Sequence, residues 1–394
     1  APHSGGIGKT EITTTATMRY FDHAATTMMR PVAREAWLNA SRLLNPAGQY
    51  QVGRKSRRVL EDARELVASL LGCEPIEVIF TASGTESDNI ALVGQWQARK
   101  EQHNRVVSTA IEHAAIYETA RYLADQGAQL DVMPVTPEGF VHDPDNFLET
   151  PAAVVACMWA NNETGAIQPL PDVIARADAT GTPVHVDAVQ VVGKLPVNFH
   201  ELGATTLAAS GHKFGGPRGV GLLLAKRSPA PHPLIHGGGQ ERGIRSGTVN
   251  VAGAVGLAAA LEEACADMAA EAQRVAKLKQ QLIDAVTTIP GARINTPAEF
   301  ALPTHLNVSF PNAEGDSLIM MLDAAGIAAS TGSACANGVN RASRVLLAQG
   351  VDEKLARGTL RLTLGYTTTE EDVEYLINHL AKAVTMAQRA GMAS

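Results

Sequence analysis

The chain has 394 residues, 45% hydrophobic, 4% aromatic and 19% charged, with 35 Gly and 20 Pro. That usage is ordinary; it excludes a disordered, collagen-like or coiled-coil chain and leaves a globular protein of about two domains. Lys plus Arg (33) against Asp plus Glu (40) gives a net charge of −7, so no global field favours nucleic acid or an anionic membrane.

In chain order, residues 1–17 are small and polar and lack the apolar stretch of a signal peptide. They read as a cloning remnant or a natural disordered tail. From about residue 31 to 265, short β-branched runs alternate with longer amphipathic ones. The runs 76–81, 105–110, 130–135, 153–159, 183–188, 205–210 and 220–225 are predicted strands. Several are apolar almost throughout, as parallel strands covered on both faces are. Between them the spacing predicts helices over 57–71, 87–100, 114–126 and 170–180. Such alternation predicts an α/β fold with a mostly parallel sheet. An Ala-rich stretch, 249–289, predicts one or two long helices. Strand, helix and strand signals follow at 304–310, 315–325 and 359–364, and a closing helix runs from 370 to about 390. The expected organisation is a large domain over 31–265 and a smaller α+β domain built from 18–30 with 266–394. No apolar run approaches the roughly 20 residues needed to cross a bilayer, and a soluble protein is expected.

Four segments carry chemistry. In Ser210-Gly-His-Lys-Phe-Gly-Gly-Pro-Arg-Gly219 a strand ends in a tight loop holding one lysine. A lysine so placed can have a depressed pKa and bond a carbonyl cofactor, although a plain surface lysine fits the same string. In His185-Val-Asp-Ala-Val-Gln190 a strand ends on a carboxylate. There it either caps a helix or points into the crevice where open α/β sheets bind ligands; in the crevice it can pair with a protonated pyridine nitrogen. In Ile79-Phe-Thr-Ala-Ser-Gly-Thr-Glu-Ser-Asp-Asn89 a strand turns into a helix whose free N–H groups make a phosphate cradle, with Thr85 adding a hydroxyl; a capping turn without a ligand is the simpler alternative. The three together describe a site for a phosphorylated pyridine aldehyde.

The fourth segment, Ser330-Thr-Gly-Ser-Ala-Cys-Ala-Asn-Gly-Val-Asn340, sets a cysteine among small residues, which suits a thiol that must be reached. Cys73, Cys157 and Cys265 read as packing residues. The four cysteines form no CxxC pair or disulfide framework, which favours a reducing, cytoplasmic setting, and no metal site is expected.

Seven motifs then occur in one order: Phe21-Asp-His-Ala-Ala-Thr-Thr27, Gly84-Thr-Glu-Ser-Asp-Asn89, Asn161-Asn-Glu-Thr-Gly165, His185-Val-Asp-Ala-Val-Gln190, Ser210-Gly-His-Lys213, Arg245-Ser-Gly-Thr248 and Gly332-Ser-Ala-Cys335. From Tyr20 onward the chain resembles the cysteine desulfurases of the NifS/IscS type, class V aminotransferases of the pyridoxal-phosphate-dependent fold type I. The resemblance implies a large mostly parallel-sheet domain and a smaller α+β domain. It implies that Lys213 carries pyridoxal 5'-phosphate covalently, that Asp187 pairs with the ring nitrogen, that Gln190 reaches the ring hydroxyl and that His113 stacks on the ring and carries protons. Gly84, Thr85, Ser210 and His212 fall to the phosphate, joined by Thr248 from the partner subunit of a homodimer. Asn162 also lies at the cofactor and, with Arg361 and Asn45, falls to the substrate. Cys335 is the implied nucleophile that takes sulfur from L-cysteine, leaves alanine and hands a persulfide to an acceptor protein, as in iron–sulfur cluster assembly or tRNA thiolation. A selenocysteine lyase or cysteine β-lyase of the same fold shares the cofactor residues, and a scaffold without catalysis is the alternative from another class. Two departures bear on substrate entry and acceptor: Ala47-Gly-Gln-Tyr50 replaces the usual Ser-Ser-x-His, and Arg341-Ala342 replaces a Glu-Pro.

Overall fold

The computed structural model describes residues 18–333 and 341–392. The N-terminal tail and Cys335, with its neighbours 334–340, lie outside the described residues. The strands are β1 (Arg19–Tyr20), β2 (Val78–Thr81), β3 (Arg105–Thr109), β4 (Gln129–Met133), β5 (Val154–Ala156), β6 (Val184–Asp187), β7 (Thr206–Ser210), β8 (Gly221–Ala225), β9 (Arg293–Ile294), β10 (His305–Ser309), β11 (Ile327–Ala328) and β12 (Thr359–Thr363).

The continuous apolar runs of β2 and β5 to β8 belong to a seven-stranded sheet in the order β2-β8-β7-β6-β5-β3-β4, with β2 at one edge and β5 to β8 inside it. Strands β5 to β8 are buried along their whole length, as a sheet covered on both faces requires. Neighbours pair in parallel except β8, which runs antiparallel to both β2 and β7. The cause is local: β7 and β8 are joined by residues 211–220, too short for the dozen or more residues that a parallel crossover takes. Every strand of the sheet other than β8 therefore points the same way.

Several predicted boundaries move. The run 76–81 divides into a 3-10 turn, Pro75–Glu77, closed by a capping box with Glu74, and then β2. The run 153–159 keeps only Val154–Ala156 as strand, although the Cys157 and Trp159 N–H groups still reach the His185 and Asp187 carbonyls. The helix expected from 87 begins at Gly84, capped by Ser83, and the one expected from 57 begins at Gln51. The Ala-rich stretch is one helix, Val251–Val286, capped by Asn250. An unexpected helix, Pro31–Ala40, starts on the proline that favours a first turn.

Two main apolar cores flank that long helix. Val107, Val155, Val186, Leu207 and Leu222 of the sheet pack with Leu257, Leu261 and Ala264. Phe21, Leu306, Val308, Leu360, Leu362 and Leu376 pack with Val275, Leu278 and Leu282. Each buried leucine contributes about 1.5–3 kcal/mol by leaving water, so the helix ties both cores together through its two halves. The second core sits on an antiparallel sheet, β12-β10-β9, beside a parallel pair in which Arg19 meets Ile327. Among the described residues no helix is long and apolar enough to cross a membrane.

Candidate active site

Because β2, β3, β5, β6 and β7 run in parallel, the segments that follow them emerge along one edge of the sheet, where open α/β sheets bind ligands. Those segments hold Gly84 and Thr85, His113, Asn162, Asp187 and Gln190, and Ser210, His212 and Lys213. Arg361, on β12, comes from the other core, and its guanidinium bonds the Asn162 carbonyl at 2.9 Å.

Residues 22–27 lie across this edge. The Lys213 Nζ donates to the carbonyls of Ala24 at 2.5 Å and Ala25 at 3.0 Å. The Gln190 amide donates to the same Ala24 carbonyl at 3.2 Å, and His212 Nδ1 lies 3.0 Å from the Thr26 hydroxyl. Lys213 is brought down to about 8 by burial and then by Arg361, against the pull of Asp187 and Asp22. At neutral pH a usable fraction of the amine is therefore neutral, which nucleophilic and basic work requires. Burial and the nearby Lys213 hold His212 at about 4, so its ring is uncharged.

His113 caps the helix Ala114–Asp125 by accepting the Ala115 N–H on Nδ1 at 3.1 Å. The proton of the neutral ring is then on Nε2, and the second proton of an imidazolium would have to displace that cap. Desolvation lowers its pKa, partly opposed by Asp187 and reinforced by Lys213, Arg344 and Arg361. Asp187, 5% exposed, accepts the Val189 N–H at 3.0 Å.

The helix Gly84–Arg99 opens towards the same place. Its Glu86 N–H is taken by the Ser83 hydroxyl and its Ser87 N–H by the Ser83 carbonyl. The N–H groups of Gly84 and Thr85 have no partner within the helix. A Cβ on Gly84 would stand 2.7 Å from Val189 Cγ2 and 3.4 Å from Ser210 Cβ, so only glycine brings this helix end so close to β7. Open donors at a helix N-terminus, beside Thr85, Ser210 and a neutral His212, are groups that can hold a phosphate. Arg361 supplies an anion site of a second kind. Its Nη2 donates to Asp22 at 2.7 Å, while its buried Nε has no partner among the described residues.

Asn45 and Thr248 are not part of this cluster. Both are exposed and line a separate cavity with Arg57, Glu61, Arg64 and Glu241, whereas a cavity beside Lys213 is lined by His23, Lys194, Glu271 and Thr304. The Asn45 side chain is engaged locally, accepting the Ala47 N–H at 2.9 Å.

Other polar residues at the site have no counterpart in the sequence reading. Asp22 holds Arg361, and Lys194 donates to Gln190 Oε1 at 3.4 Å. Glu112, just before His113, accepts from Thr109 and from the Met158 N–H, and burial pushes it up to about 7. Asp88 is buried against His185. Asp22 and Asp88 lie inside the motifs at 21–27 and 84–89, but their chain neighbours Phe21, His23, Ser87 and Asn89 carry no local sign of burial.

The class-V aminotransferase family model matches residues 19–376. An IscS-like cysteine desulfurase of Mycobacterium tuberculosis is 43% identical over 96% of this chain and 99% of its own. A cysteine desulfurase IscS of Dictyoglomus turgidum is 39% identical over 93% and 94%. Among solved structures, a NifS-like protein superposes with a TM-score of 0.87 at 36% identity, covering 94% of this chain and all of that one.

Proposed function

The chain belongs to the class-V aminotransferase family and is an L-cysteine desulfurase of the NifS/IscS type, and we propose that it works with pyridoxal 5'-phosphate held at the Lys213 cluster and passes sulfur through Cys335. The observation that carries this reading is the convergence of Lys213, Asp187, His113 and the open helix end at Gly84 on one sheet edge, faced by Arg361.

The residues fit the cofactor. The Gly84 and Thr85 N–H groups with Ser210 and His212 suit its phosphate, the Asp187 carboxylate suits its ring nitrogen, and Gln190 suits its ring hydroxyl. His113 supplies a flat face and an Nε2–H. When bound, the cofactor supplies an electron sink for the charge that develops at the substrate Cα. Lys213 would hold its aldehyde and, as a free amine with a pKa of about 8, would move the substrate Cα proton. Arg361 would receive the substrate carboxylate on its guanidinium, and Asn162 lies beside it. The Cys335 thiolate would attack the substrate sulfur; the Cβ–S bond would break with its electron pair passing to the carbon skeleton, which takes up protons to leave as alanine, and the sulfur would remain on Cys335 as a persulfide. His113 carries protons only when its cap is released.

We read the chain as two domains, 31–265 and 18–30 with 266–394, each with its own core. We read the active form as a homodimer, because Thr248 sits exposed away from Lys213 and because Met28, Met29, Val32, Trp37, Leu38 and Leu44 leave an apolar surface around the helix Pro31–Ala40. We place it in the cytoplasm, where a working thiol stays reduced, delivering sulfur to an acceptor protein such as an iron–sulfur scaffold. Replacing Cys335 by Ala is expected to abolish protein persulfide and most release of alanine from cysteine, and full desulfuration by that variant would remove Cys335 from the reaction. Lys213→Ala is expected to lose the visible absorbance of the covalently held cofactor, and an unchanged spectrum would refute its role.

A further inference from the structure

Three acids, Asp187, Asp88 and Glu112, crowd one buried region next to the cofactor site. Asp88 is 1% exposed on the helix Gly84–Arg99, and the charged groups that face it are the other two acids. Its Oδ1 lies 2.8 Å from Nε2 of His185 on β6, and the side chain reaches Asp187 as well. His185 is fully buried, and its Nδ1 lies 2.8 Å from the Thr206 hydroxyl on neighbouring β7.

Buried anions with no cation between them are costly, so such a group retains its proton. Burial raises Asp88 well above the ordinary carboxyl range and holds His185 down at about 3. His185 is therefore neutral, and the proton positions can be worked out. With the Thr206 hydroxyl donating to Nδ1, the imidazole proton is on Nε2 and goes to Asp88 Oδ1. The other Asp88 oxygen then carries the carboxyl proton, and the acceptor in reach is Asp187. Asp187 already accepts the Val189 N–H on Oδ1, so it gains a second donor that fixes its orientation.

We propose that Asp88 is a positioning residue, a carboxylic acid oriented by His185 and Thr206 that donates to Asp187 and holds that carboxylate in place for the ring nitrogen of the cofactor. Asparagine is the isostere of that protonated acid, with an amide N–H in place of the O–H. If Asp88 were instead an anion paired with a charged His185, asparagine would break the pair.

The inference rests on the assignment of Asp187 to the ring nitrogen, and its first readout needs no cofactor. In the apoprotein at neutral pH the wild type is expected to show an infrared carbonyl band of a protonated carboxyl that Asp88→Asn lacks and Glu112→Gln keeps. Asp88→Asn is expected to bind pyridoxal phosphate within about threefold of wild type, and Asp88→Leu at least tenfold more weakly. No such band, tenfold weaker binding by Asp88→Asn, or unchanged binding by a folded Asp88→Leu overturns it. Where Asp88→Leu does not fold, the band and the asparagine variant decide. A wild-type chain that takes up no pyridoxal phosphate counts against the proposed function, whereas a missing band counts against the Asp88 proton alone.

Discussion

Substitution of Arg361 by Lys separates substrate binding from cofactor binding. Of its five N–H groups the guanidinium gives one from Nη2 to Asp22 and one from Nη1 to the Asn162 carbonyl, so the planar fork serves both partners with N–H groups to spare. A lysine at 361 keeps a positive charge but offers no planar fork, so it holds Asp22 or an incoming carboxylate and not both. The loss is about one hydrogen bond to a charged group, worth ~1.5–3 kcal/mol. At about 1.4 kcal/mol per factor of ten, that is roughly a 10- to 150-fold fall in kcat/KM for L-cysteine, expressed mostly in KM. Alanine formation measured across substrate concentrations checks it. The cofactor spectrum should not change, because Lys213, Asp187 and the Gly84 helix end are untouched. A variant with the KM of the wild type, or one that loses cofactor while KM holds, would refute the carboxylate role.

Gly84→Ala places a methyl 2.7 Å from Val189 Cγ2, an overpacking of ~1–3 kcal/mol aimed at the phosphate cradle. Titration of the apoprotein with pyridoxal phosphate should show binding at least several-fold weaker, and equal affinity would contradict the cradle. If Thr248 serves the partner's site, Thr248→Ala chains mixed and re-associated with Lys213→Ala chains should regain one wild-type cofactor site per mixed dimer; no recovery removes the shared site. His23 is buried, with its pKa lowered to about 3, chiefly by desolvation and then by Lys194. Between about pH 6.5 and 3 the unfolded chain binds a proton there that the folded chain does not, so stability contributed at this position is full above 6.5 and is lost as pH falls towards 3. The urea midpoint of the wild type minus that of His23→Asn should therefore fall on acidification through that window, and a flat difference would refute the buried neutral ring.

What could be read from the sequence was whatever depends on near neighbours in the chain. The apolar runs at 105–110, 183–188 and 205–210 became β3, β6 and β7, because a strand covered on both faces has to be apolar along its length. Lys213 and Gly84 stood out because a loop and a helix start have local signatures. The antiparallel turn of β8 was also available in principle, since the ten residues 211–220 between β7 and β8 are too few for a crossover.

The tertiary structure alone decided which charges meet. Asp22 and Arg361 are 339 positions apart, and His185 and Asp88 are 97 apart. Such contacts exist because parallel strands deliver distant segments to one edge and because a second core carries β12 up to it. The raised carboxyl of Asp88 and the softened amine of Lys213 follow from that burial and proximity. The string of residues determined which groups are present; their charge at neutral pH is set by how far folding removes them from water and what it puts beside them.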